Sequence, residues 1–460
     1  MNKIYKKALF IFRRDLRLVD NTALNAAREQ AEVVIPIFNF DPIQVDKDNQ
    51  YRSMNGLQFM VESLKELGDN LRTKNGQLYL FYSSMQKNIE HIVKEENIDA
   101  IFVNWDYTPF SSSRDKDLEK LCARYKIAFN RYHDELLIGD PKSILTGSKT
   151  SYTVYTPFLN KASKCEIAKP EKLAAGKFFN GKIKNAESED IYKKIINKDN
   201  PEIKVHGGRS NALKILNNIK KFKDYDKERN LPALDATTHL SAAHKFGTIS
   251  IRESYYAIKD NLGVNTSLLK ELYWRDFFTY VAYHFPYVFG KPFRQKYANL
   301  KWNMSKKDFE LWCSGNTGFP IVDAGIRQLN STGWMHNRVR MVVASFLIKD
   351  LHINWLWGEK YFAQQLVDYD PAVNNGNWQW SASTGCDAQP YFRIFNPWEQ
   401  QKKFDPDCVY IKKWIPELKS LTSKQIHNWF KNDENAVEYS KPMVDHSEER
   451  EVALALYKRV

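Results

Sequence analysis

The chain has 460 residues, 43% of them hydrophobic and 27% charged, with a formal charge of +13 and a pI near 9.2. That length buries a large core in two or three domains, and the ordinary apolar share excludes global disorder. The five cysteines are scattered without a C-x-x-C, no H-E-x-x-H occurs, and no apolar run approaches the roughly 18 residues of a membrane span. A disulfide framework, a zinc site of familiar spacing and a membrane span are thereby set aside. The expectation is a soluble protein of a reducing, cytoplasmic compartment, nucleoid-associated in a bacterium. The positive balance points to a polyanionic partner, with nucleic acid ahead of an anionic membrane surface.

Along the first 135 residues, short apolar runs alternate with helical patterns. "ALFIF" (8–12), "EVVIPIF" (32–38), "QLYLFYS" (77–83) and "AIFVN" (100–104) have strand length and β-branched or aromatic content. Between them, Leu57, Met60, Leu64 and Leu67 recur at helical spacing, and "NIEHIVKEEN" and "DKDLEKLCARY" read as shorter helices. Strands alternating with helices predict an α/β, Rossmann-like domain built on a parallel sheet over 1–135. From 136 to 205 the chain loosens into Gly, Ser, Asn and Lys, which reads as an interdomain linker. From 206 to 460 strand-like alternation nearly vanishes and apolar residues recur at three- and four-residue steps, predicting a large all-helical domain. Eleven of the twelve tryptophans lie between Trp274 and Trp429, so the two halves differ in kind.

Four stretches carry possible chemistry. "FRRDLRLVDN" follows the first strand, where an open α/β sheet places its ligand loop, yet it has no glycine to cradle a phosphate. Its charges Arg13, Arg14, Asp15 and Arg17 suit ion pairs at a domain interface as well as a ligand. "TTHLSAAHKFGTIS" brings hydroxyls to the start of a helix, where they cap amides or receive a phosphate. "KELYWRDFF" sets Glu271, Trp274, Arg275 and Phe278 on neighbouring helical faces, a carboxylate one turn from an indole. "GWMHNRVRM" spaces Asn337 and Met341 four apart, with Arg338 and Arg340 between: an amide and a thioether for a flat ring, guanidiniums for phosphate.

In their order along one chain, these stretches and "NNGNWQWSASTGCDAQPYFRIFNPWEQQKKFD" resemble the cryptochrome/photolyase family, most closely the class I cyclobutane pyrimidine dimer photolyases. The resemblance covers nearly the whole chain and is weakest from about 140 to 220. It implies light-driven repair of pyrimidine dimers in DNA by an electron from photoexcited, reduced FAD (FADH⁻), with the FAD held by the helical domain. The alternative within the family is a cryptochrome-type blue-light receptor without repair.

Carried over residue by residue, the resemblance assigns Tyr225, Thr237, Thr238, His239, Leu240 and Ser241 to the ribityl and phosphate part of FAD. It assigns Glu271, Trp274, Arg275, Phe278, Arg340, Asp368, Tyr369, Asp370 and Asn374 to the flavin surroundings. Asn374 is expected to face the flavin N5 and Arg340 to pair with Asp368. Arg229, Glu271, Trp274, Asn337, Arg338, Met341, Trp380 and Gln400 are expected to meet DNA, which the family engages by flipping the damaged base pair outward. Trp378, Trp355 and Trp302 match the electron-relay chain that reduces the flavin. Trp312, Trp334, Trp357 and Trp414 are read as core.

The chain departs from folate-binding members. "DYTPFSSSRD" lacks the acidic residue those enzymes carry after the fourth strand, and "YVFGKPF" lacks their Cys-Lys pair. A deazaflavin, a second flavin or no antenna stays open, with "YTPFS" closer to the flavin-type members. Asn374, where plant-type receptors place Asp, favours repair. The expected partner is dimer-containing DNA, with no membrane, and the expected state is a monomer.

Overall fold

Strand β1 (Tyr5–Phe12) is buried from Ala8 to Phe12, the unbroken apolar run of a parallel strand covered on both faces. The computed structural model, which describes residues 3–431 and 437–460, pairs it with β2 (Ala31–Phe40) and β4 (Ala100–Asn104). With β3 (Tyr79–Tyr82) and β5 (Ala128–Tyr132) the sheet runs β3-β2-β1-β4-β5, every pair parallel. Edge strand β5, "AFNRY", is half-buried throughout and carries no apolar run, so periodicity did not mark it. The short β6 (Lys177–Phe178) adds to β2 at Val33 and Val34. Helices Met54–Arg72, Met85–Glu96 and Pro109–Tyr125 cover the sheet; Leu57, Met60, Leu64 and Leu67 face inward.

By contact the chain forms two compact units: Met1–Asn200, Val205–Lys221 and His239–Pro286 in the first; Pro201–Lys204, Phe222–Thr238 and Tyr287–Val460 in the second. The stretch from 136 to 205, loop-like in composition, is largely strapped to the sheet. Arg28 donates through Nε to the Ala174 carbonyl and through Nη2 to that of Gly176, both at 2.7 Å, and its guanidinium lies over the Phe178 ring. Residues 239–286 are helical, and their charges explain why they join the sheet's unit. Arg252 pairs with Asp20 (2.9 Å) and Asp134 (2.8 Å), Arg275 with Glu135 (2.9 Å), and the Leu137 amide donates to Asp276 at 2.9 Å.

The second unit is helical, with one parallel bridge, Asn303 to Ile353, among its described residues. Helices Pro320–Thr332, Asn337–Lys349, Trp355–Gln365, Pro371–Ser381 and Pro397–Phe404 pack around Trp312, Phe346, Trp378 and Trp398. Gly333, at φ +67°, ends the first of these in the left-handed conformation that a glycine adopts cheaply. No described helix is long and apolar enough to cross a membrane.

Candidate functional site

A doubly wound sheet takes ligands where its strand order reverses, here between β1 and β4. In the first unit the polar side chains at that crevice bond to one another. Asn104, ending β4, donates to Asp15 (2.6 Å) and to Asn21 (2.8 Å), while Arg13 donates to Asp115 at 3.1 Å. The charges of "FRRDLRLVDN" are therefore structural. Arg17 and Arg252 close on Asp134; burial alone would raise that carboxyl, but the two guanidiniums hold it well below the usual carboxylate range.

The first unit also carries Glu271, Trp274, Arg275 and Phe278 on helix Ser267–His284. Glu271 and Trp274 are half-buried. Tyr155, from the loop-like stretch, stacks on Trp274 with ring centroids 3.5 Å apart and planes 8° from parallel, and its hydroxyl donates to the Lys270 carbonyl. Phe278 lies beside the same indole at 5.5 Å. Arg275 is committed to Glu135, through both its backbone carbonyl and its carboxylate. The helix Ser241–Lys245, which follows His239 and Leu240, is only five residues long, and its N-cap residue, Leu240, makes no side-chain cap. The hydroxyl run is thus not a conventional helix cap.

In the second unit, helix Pro371–Ser381 begins from Asp370, whose carboxylate accepts from the Ala372 and Val373 amides, with Pro371 pre-set for the first turn. One turn on, the buried Asn374 donates its Nδ2 to the Glu359 carbonyl at 3.1 Å. A carbonyl only accepts, so this contact fixes the amide: nitrogen on Glu359, Oδ1 left to accept. Arg340 grips Asp368 with two guanidinium nitrogens, at 3.2 and 3.0 Å, and donates Nε to the Met335 carbonyl. Tyr225 is buried, Thr238 and Tyr369 are half-buried, and the Thr237 hydroxyl oxygen is buried with no hydrogen-bond partner among the described residues.

Trp378, on the same helix, is 2% exposed and touches Phe362 (4.9 Å) and Trp312 (6.3 Å). A Cβ on Gly358 would stand 2.1 Å from the Trp378 ring, so the indole lies directly on the backbone of helix Trp355–Gln365. Trp355 opens that helix, buried, and Trp302 is half-buried, edge-on to Tyr457 at 6.5 Å. Trp380, two residues past Trp378, is half-buried. Asn337, exposed, starts helix Asn337–Lys349 with half-buried Met341 one turn later. Arg338 reaches Asn230 at 2.7 Å and lies over Phe404; Arg229, whose charge bears on Arg338, sits over Tyr225. The Gln400 side-chain oxygen is buried without a partner among the described residues.

Sequence reasoning passed over Tyr155, Gly358 and Glu359. Tyr155 lay in a stretch read as linker. Gly358 and Glu359 stand in "NWLWGEK", where the tryptophans drew the attention, and a glycine mid-helix beside aromatics was the available signal. Burial pushes Glu359 up to about 7, opposed only by the Asn375 amide.

Family models match both ends of the chain: "DNA photolyase" over residues 8–175 and "FAD binding domain of DNA photolyase" over 268–459. The chain is 36% identical to the deoxyribodipyrimidine photo-lyase of Vibrio cholerae, over 97% of this chain and 98% of that one. It resembles an archaeal photolyase from Sulfolobus tokodaii, solved with two FAD molecules, at 43% identity and TM-score 0.90, covering 99% and 100% of the two chains. A bacterial class III photolyase from Agrobacterium tumefaciens matches at 34% identity and TM-score 0.91, over 100% and 98%.

Proposed function

Because the chain belongs to the DNA photolyase family, we propose that it binds DNA carrying cyclobutane pyrimidine dimers and splits them in blue or near-UV light. When bound and reduced, FAD would supply the light-driven one-electron chemistry that splitting the dimer needs. The residues present fit that cofactor. The orphaned Thr237 hydroxyl offers a donor to a phosphate or ribityl oxygen, and Arg340 locks Asp368 on the segment that leads to Asn374.

The observation that carries the reading is the orientation of Asn374. With its nitrogen spent on Glu359, its oxygen accepts from an N–H without adding a full charge, which suits a flavin N5 that bears a proton. An Asp at this position would add charge and favour the receptor reading. Trp378 serves as electron inlet, on the same helix as Asn374 and buried against helix Trp355–Gln365, with Trp355 and Trp302 as outer members of the relay. In the first unit, Glu271 and Trp274 receive the extruded dimer: the indole stacks, and the carboxyl hydrogen-bonds the electron-rich ring. In the second, Asn337, Met341 and Trp380 take the same role, while Arg229, Arg338 and Gln400 engage the DNA strand. The net charge adds sequence-independent, salt-sensitive affinity.

For the second chromophore we read a flavin. The Sulfolobus tokodaii relative holds two FAD molecules, and this chain lacks the residues associated with folate. We further read a monomer acting in the cytoplasm, since one chain carries every residue assigned to the cofactor and the lesion. The test is purified, FAD-reduced protein mixed with dimer-containing DNA, in blue light and in darkness. Dimers are expected to disappear only in the light; their persistence with reduced FAD bound would sink the repair reading and favour a receptor.

A further inference from the structure

Helix Trp355–Gln365 presents Glu359, 5% exposed, to helix Pro371–Ser381. Its Oε1 accepts from Asn375 Nδ2 at 2.9 Å, while its main-chain carbonyl accepts from Asn374 Nδ2. Asn375 also donates to the Val288 carbonyl (3.0 Å) and accepts from Gln379 (3.0 Å). The carboxyl thus ends a row of neutral amides. Among the described residues, the elements packed against it bring no counter-charge that bears on this carboxyl. Helix Pro371–Ser381 offers Asn374, Asn375 and Trp378, and the Val288 turn offers a carbonyl. From helix Asn337–Lys349, Leu347 packs by Gly358, while the Lys349 amine is directed to Ser383 and the Tyr457 ring.

A buried carboxylate without a cation is costly, whereas a buried carboxylic acid is not. Burial accordingly raises Glu359 to about 7, so that it keeps its proton on the acid side of neutrality. We infer that Glu359 is a positioning residue of the flavin site held in its neutral, protonated form, anchoring Asn374 and Asn375 without placing a negative charge beside them. This rests on the reading of Asn374 as flavin-facing. Its consequence is electrostatic. Reduced FAD in its working form is an anion, and an ionised Glu359 nearby would oppose reduction. One unit charge within about a nanometre, at an effective dielectric of about 20, changes such an equilibrium about tenfold or more.

The experiment is a spectroelectrochemical titration of bound FAD from pH 6 to 9 in the wild type, Glu359→Gln and Asn374→Asp, with infrared detection of protonated carboxyl. Glu359→Gln keeps an acceptor for Asn375 and is expected to match the wild type at pH 6. Above pH 8 the wild-type potential should fall below the variant's by about tenfold in the reduction equilibrium, about 30 mV for a two-electron couple. The protonated-carboxyl band should fade through the same range and lose that component in Glu359→Gln. Glu359→Met, similar in length and uncharged, should follow Glu359→Gln and serves if the glutamine variant folds poorly. Wild-type and variant curves that run parallel across the range would overturn the inference. If Asn374→Asp moves the potential while those curves stay parallel, only the role of Glu359 fails. If Asn374→Asp moves nothing, the flavin-facing reading of that helix fails with it.

Discussion

The two units differ in how they bury polar groups, although the second keeps ion pairs of its own, Arg340 with Asp368 and His446 with Asp350. In the first, charge meets charge: Arg13 with Asp115, Arg17 and Arg252 with Asp134, Arg252 with Asp20, and Arg209 with Glu253. In the second, the buried acid beside the flavin-assigned helix meets only amides, and the buried Lys349 meets a serine hydroxyl and a tyrosine ring. Paired charges are committed, so they hold geometry and resist titration. Unpaired ones are neutralised by burial and sit close to changing state; burial pulls Lys349 down to about 7 from one side and pushes Glu359 up to about 7 from the other. Asp276 is the exception in the first unit, also raised to about 7 by burial against the pull of Arg275. The difference separates two kinds of polar interior: the side chains at the first unit's switch point are committed to one another, whereas the acid and the amine buried in the second sit close to a change of state.

The largest effect should come from breaking the charged scaffold. Asp134→Ala leaves Arg17 and Arg252 buried beside an empty place and is expected to cost about 3–5 kcal/mol, read from chemical denaturation. Replacing Asp134 together with Arg17 by apolar residues should cost less than the sum of the single changes. A loss within about 0.5 kcal/mol for Asp134→Ala would remove the contrast, because the network would then be ornament.

The second prediction uses pH. Glu359 rises from 4.5 to about 7 and Asp350 from 3.8 to about 6, both through burial. Groups whose folded values are raised contribute stability that is complete below the unfolded value and is lost as pH rises through the folded one. Asp134 behaves in reverse, its contribution lost only in acid. The thermal midpoint should therefore fall between pH 5 and 7, with a change of up to about 3 kcal/mol from a shift of this size, before the lowered Lys349, which gains stability as pH rises above about 7, begins to oppose it. Glu359→Gln should flatten that fall, and identical slopes in the two proteins would show that Glu359 does not titrate in this window.

These contrasts bear on what a reader of the chain alone can see. The sheet was legible because β1, β2, β3 and β4 are continuous apolar runs, and the helical half because its apolar residues keep a period near 3.6. Edge strand β5 was not, since an edge needs no apolar run. The placement of residues 239–286 with the sheet was hidden as well: composition groups them with the helices, but Arg252 and Arg275 find their carboxylates in the first unit. At the site, motif order pointed to Asn374, Arg340 and Asp368, and the Arg340–Asp368 ion pair forms. What no motif could supply was direction: which way the Asn374 amide is turned, that Tyr155 lies face to face on Trp274, and that Trp312, read as core, touches Trp378. Those facts depend on residues distant in sequence arriving at one place.

The smallest effect tests the amide-and-indole side of the comparison, and it turns on a glycine. Gly358 sits mid-helix, where glycine costs about 1 kcal/mol relative to alanine, so its presence needs a reason. Trp378 supplies it: an added Cβ would lie 2.1 Å from the rigid indole and 2.6 Å from the terminal Cδ2 of Leu347, and both side chains are buried, with little space to yield into. In a surface helix Gly→Ala would stabilise; here overpacking should outweigh the propensity gain, with a net cost of about 1–3 kcal/mol. The displaced ring should also carry electrons less well, so light-driven reduction of oxidised FAD should slow in Gly358→Ala while repair by chemically reduced enzyme is largely kept. Trp378→Phe should show the same split more strongly, through loss of the indole itself. If Gly358→Ala stabilises the protein and leaves photoreduction unchanged, Trp378 has room to move, and the close packing of that indole on the helix carrying Glu359 is not what sets its function.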